Sequence, residues 1–98
     1  MRTIGFFTDD DEHFVGRIET LTFQHKAAIL CNHSKRGKRA ADYSVVANGV
    51  QLGEARKATA DSGEECLLLK LDDPSFARPF TCQLLSEGYG HYRLVWSR

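Results

Sequence analysis

Four cations crowd into five positions at Lys35, Arg36, Lys38 and Arg39, with Gly37 between them. Such a cluster can grip phosphates, and Tyr43, Tyr89 or Tyr92 could offer a ring for base stacking, the pairing that single-strand binders use. It also suits a solvated loop that keeps the protein in solution. A second cluster of opposite sign, Asp9, Asp10, Asp11 and Glu12, is read as a partner contact. Asp72 and Asp73 form a third group, followed by Pro74. Adjacent carboxylates could serve acid and base work or hold a divalent cation. An Asp before Pro-Ser more often accepts hydrogen bonds from the turn it starts, so Asp72, Asp73 and Pro74 are read as a structural turn.

Nothing else in the chain proposes a reaction. His13, His25, His33 and His91 are dispersed, no Ser or Cys stands in a Gly-x-Ser-x-Gly setting, and the glycines make no phosphate-cradling loop. Cys31, Cys66 and Cys82 lie far apart without metal-ligand spacing, which suits reduced, buried thiols better than a zinc site or a disulfide. The expectation is no enzyme activity, no metal and no cofactor. Thirteen basic and thirteen acidic side chains cancel, so no long-range field would draw the whole molecule onto a polyanion. Nucleic-acid binding would have to be local. The opening apolar residues meet Asp9 at once and no run reaches membrane length, so a cytoplasmic protein is expected.

The elements that must carry these groups are strands. Leu67, Leu69 and Leu71 recur with period two, and Leu68 and Cys66 supply a second apolar face, predicting a strand covered on both sides. Thr3 to Thr8, Phe14 to Phe23, Lys26 to Asn32 and a strand after Pro79 follow the same logic. In the second strand the apolar parity changes after Thr20, which predicts a bulge or a strong twist near it, and Gly16 suggests a close approach of two backbones. Asn48-Gly49 between apolar runs is a hairpin signal. Charges at Glu54, Arg56 and Lys57 predict that the strand after it leaves the core as an edge, which could pair across a two-fold axis in a homodimer. Phe6, Phe7, Phe14, Phe23, Phe76, Phe80 and Trp96 are read first of all as core, with the alternative that one or two are exposed and form a protein-binding patch. No window holds a helical period over three turns. The whole of 1–98 is therefore read as one all-β domain, a small antiparallel meander of seven or eight strands curled into a barrel or compact sandwich with little helix.

Lys70-Leu71-Asp72-Asp73-Pro74-Ser75-Phe76, together with Thr3-Ile4-Gly5, Leu21-Thr22 and Val95-Trp96-Ser97-Arg98, resembles the bacterial domain of unknown function family 736. The resemblance runs end to end. It implies a small protein of plasmids and integrative elements, and it brings no catalytic motif. Two aromatics common in that family, near Arg56 and near Cys66, are absent from this chain.

These observations lead to a non-enzymatic binding module of a mobile genetic element. The first expectation is docking on a protein partner of host or element, for example as an anti-defence or anti-CRISPR inhibitor presenting the two charged loops. The second is a single-stranded nucleic-acid-binding accessory protein of plasmid transfer or replication that uses residues 35–39.

Overall fold

The computed structural model describes residues 2–21, 24–32, 42–74 and 76–96. Eight strands run in chain order: β1 (Arg2–Asp10), β2 (His13–Glu19), β3 (Gln24–Cys31), β4 (Tyr43–Ala47), β5 (Val50–Thr59), β6 (Glu65–Leu71), β7 (Phe80–Gly88) and β8 (His91–Trp96). Each pairs antiparallel with its neighbours, and β8 pairs with β1, so the meander closes into a barrel. Of the two architectures expected, closure is realised because it removes the free edges that a small open sheet would expose.

The period-two leucines build the interior. Leu69 and Leu71 are wholly buried and Leu67 nearly so, and around them pack Phe7, Ile18, Ile29, Val45, Leu84 and Leu94. An eight-stranded barrel is only just wide enough to be filled by side chains, and these residues fill it. Burying each stabilises the fold by roughly 1.5–3 kcal/mol. Phe14, Tyr43, Tyr92, Trp96, Phe76 and Phe80 pack against this core from its periphery, the last two with ring centroids 5.2 Å apart.

Local chemistry sets the turns. Asn48 and Gly49 adopt φ of 51° and 77°, the pair of positive values that a tight turn between β4 and β5 requires. Gly16 faces the backbone of β1 so closely that a Cβ there would collide with the Phe6 carbonyl oxygen, as its lone position in the strand suggested.

Four expectations need correction. Glu54 does not begin an edge: β5 is paired on both sides through Ala55, which is fully buried, and the Lys57 N–H beyond it donates to Asp42 Oδ2 at 2.9 Å. Leu68 is 42% exposed, so β6 is covered on its inner face while its outer face is partly open. No bulge forms at Thr20, because β2 ends at Glu19 and the parity change falls after it. Register shifts occur instead at Thr3/Gly5, Val45/Val46 and Ser86/Gly88. Finally, Phe6 is not core but 63% exposed. Phe23 lies outside the described residues.

Candidate functional site

In an antiparallel meander successive connections alternate between the two ends of the barrel. Asp9 to Glu12, the Ala60–Glu64 turn and Tyr89–Gly90 therefore share one end, with Asn48–Gly49 and Asp72 to Pro74 at the other. The acidic group is exposed throughout and is tied to the neighbouring hairpin: Asp9 N–H donates to Gly90 O at 2.9 Å, and Tyr92 Oη donates to Asp9 Oδ2 at 3.4 Å. Lys35, Arg36, Lys38 and Arg39 lie outside the described residues. Asn32 and Asp42, which flank that segment, stand at the acidic end and are joined by Asn32 N–H donating to Asp42 O at 3.0 Å.

Asp72 and Asp73 serve the turn between β6 and β7. Asp72 N–H donates to Leu52 O at 2.7 Å, and the Asp73 carbonyl accepts from Phe76 N–H at 2.8 Å. Among the described residues no histidine joins them: His13, His25 and His91 sit in β2, β3 and β8, and His33 lies outside the described residues. His13 Nδ1 accepts from the Cys31 N–H at 3.0 Å, which places the proton of the neutral ring on Nε2.

The acidic end is plugged by aromatic rings. Phe14 contacts Tyr92 edge-on at 4.8 Å and Tyr43 in a tilted arrangement at 5.8 Å. Burial, and after it the neighbouring Cys31, Asp42, Tyr92 and Glu12, raises the Tyr43 phenol above its ordinary value. Burial and then Asp9 raise that of Tyr92. Of the three tyrosines considered as stacking faces, these two are half-buried in the plug, while Tyr89 is fully exposed at the β7–β8 turn.

The most distinctive arrangement lies elsewhere, on the outer wall. Phe6 pairs with Arg93 on one side and Arg17 on the other, and Arg17 pairs with Lys26. Directly paired residues point to the same side of a sheet, so Arg93, Phe6, Arg17 and Lys26 form one lateral row across β8, β1, β2 and β3. With strands ~4.8 Å apart, the two arginines flank the phenyl ring at a separation of roughly 10 Å along the sheet. Among the described residues, Lys26 and Arg93 have no carboxylate partner, and Arg93 Nε is buried without an acceptor. Arg17 Nε pairs with Glu19 Oε1 at 3.0 Å, but both side chains are about half exposed, and such a pair is worth only ~0–1 kcal/mol. Its guanidinium can be given up to a phosphate at little cost.

Grooves flank this row. One of about 350 Å³ is lined by Phe6, Thr8, Val15, Glu87 and His91, and a smaller one of about 220 Å³ lies on the other side of Phe6 against Gly5, Arg17 and Glu19. A wider, open one of about 550 Å³ continues past Val15 and Arg17 over Lys26, Ala28 and Val46. Sequence reasoning missed the row because it read Phe6 first of all as core and did not say which of the aromatics would be exposed. The signal was present in Phe6-Phe7 itself, since adjacent strand residues cannot both face inward.

A family model described as "Protein of unknown function (DUF736)" matches residues 3–98. No curated protein and no solved structure matches the chain.

Proposed function

The chain belongs to the DUF736 family, and we propose that it is a non-enzymatic module that binds single-stranded nucleic acid on the outer wall formed by β8, β1, β2 and β3. The observation that carries this reading is the row Arg93, Phe6, Arg17 and Lys26. An exposed aromatic ring costs a soluble protein apolar surface in water. Placed between two guanidinium groups, it gains a use: the cations take phosphates while the ring takes a base. Stacking is indifferent to base identity and contributes roughly 1–3 kcal/mol per base, whereas the cations supply a salt-dependent term.

Duplex DNA fits this wall less well than a single strand. A ring that stacks needs an unpaired base face, and the wall offers neither a helix nor a protruding ribbon to enter a major groove. The overall charge of zero is compatible with the reading, because the four carboxylates of Asp9 to Glu12 gather at one end of the barrel, while three cations, Arg93, Arg17 and Lys26, stand in the row against the two flanking carboxylates Glu19 and Glu87. The family resemblance suggests a setting, namely an accessory role in transfer or replication of a mobile element. Docking on a protein partner is the competing use of the same wall.

Fluorescence anisotropy with labelled single-stranded oligonucleotides at two salt concentrations tests the proposal. Binding that weakens steeply as salt rises is the expected result. No rise in anisotropy with any oligonucleotide at low salt, together with stoichiometric capture of one host protein, would transfer the wall to a protein partner.

A further inference from the structure

We propose that the groove between Phe6 and His91 is a base-reading subsite that prefers guanine, with Glu87 as the residue that sets the preference. The inference rests on the nucleic-acid reading above and adds a specificity to it.

Glu87 lines the same groove as Phe6, Thr8, Val15 and His91, and among the described residues its side chain makes no ion pair or hydrogen bond. Glu87 is exposed, and on a wall that receives a polyanion its carboxylate repels phosphate, so beside a bound strand it is best placed facing a group that donates. The exposed base edge is what remains. Carboxylates accept two parallel N–H bonds well, and the four bases differ in how many adjacent donors they carry. Guanine presents N1–H and the N2 amino group side by side. Adenine and cytosine present one amino group next to a ring acceptor, and thymine or uracil presents one N–H between two carbonyls. Only guanine matches both oxygens of Glu87.

The remaining lining supports that orientation. A base stacked on Phe6 would have its edge within the groove that Glu87 and His91 also line, with Val15 adding apolar surface to the same lining. Next to the guanine N1–H lies O6, an acceptor, and the imidazole of His91 can donate to it. His91 pairs with Thr8 and Gly88, so Glu87 and His91 enter the groove from the two arms of one hairpin. Two-point recognition of this kind discriminates by roughly 5- to 150-fold between the matched base and another.

The test compares a labelled thymine oligomer with the same oligomer carrying isolated guanines, each with the wild-type chain and with Glu87→Gln. The wild type should bind the guanine-bearing strand at least about fivefold more tightly. In Glu87→Gln, where an amino group replaces one acceptor, that ratio should fall towards one. Equal wild-type binding of both strands would overturn the guanine preference while leaving the nucleic-acid reading intact. Persistence of the preference in Glu87→Gln would overturn the assignment to Glu87. Failure to bind either strand would remove the reading on which both rest.

Discussion

Gly16 lies against the carbonyl of Phe6, with no space between them for a side chain. This contact draws β2 onto β1 at the position from which the Phe6 ring leaves the wall, so one backbone approach both curls the barrel and presents the candidate platform. Gly16→Ala must push the strands apart. Overpacking of this kind costs about 1–3 kcal/mol or more, and the obstacle here is backbone rather than a flexible side chain. Chemical denaturation should register a loss in that range.

Phe6 itself should matter little to folding and much to binding. Its side chain is mostly in water, so Phe6→Ala is expected to change stability by no more than about 0.5 kcal/mol. Oligonucleotide affinity should fall by roughly 5- to 150-fold, the equivalent of one lost stacked base, and Phe6→Trp should retain it. Leu69→Ala is the converse case. That residue is wholly buried, and its truncation should cost about 2–5 kcal/mol in denaturant unfolding.

The cations should act through salt. If Lys26 and Arg93 each neutralise one phosphate, replacing either by alanine should flatten the slope of log affinity against log salt by about 0.7. A uniform weakening across oligonucleotide sequences should accompany it, since phosphate contacts carry no base information.

Cys82 gives a prediction in pH. Burial pushes its thiol up to about 12. The folded state therefore holds a proton that the unfolded chain releases near 9, so its contribution to stability is complete below that pH and is lost as pH rises towards about 12. Alkaline titration of the unfolding midpoint should show this decline, and a thiol reagent at pH 8 should leave Cys82 unmodified in the native protein.

Much of this fold was legible because it obeys a short period. The alternation at Leu67, Leu69 and Leu71, the Asn48-Gly49 turn and the isolated Gly16 are local signals, and all three correspond to structure. The candidate site was not legible in the same way. Its parity could be read, since Arg17 and Arg93 each oppose the inward residues of their own strands. Its assembly could not, because bringing Arg93 beside Phe6 depends on the pairing of the first strand with the last. That register is set by the irregularity at Thr3/Gly5, where one residue slips and every later side chain is reassigned to a face. The misplaced edge at Glu54 has a similar origin. Outward charges look the same on a true edge and on a strand paired on both sides within a closed barrel.

The most direct test of the outer-wall site is a titration of the isotopically labelled protein with a single-stranded oligonucleotide, followed by the amide resonances. The account predicts that shifts concentrate at Phe6, Arg17, Lys26 and Arg93, on four adjacent strands. Shifts confined to Asp9 to Glu12, to Asp72 to Pro74 or to no described residue at all would contradict it.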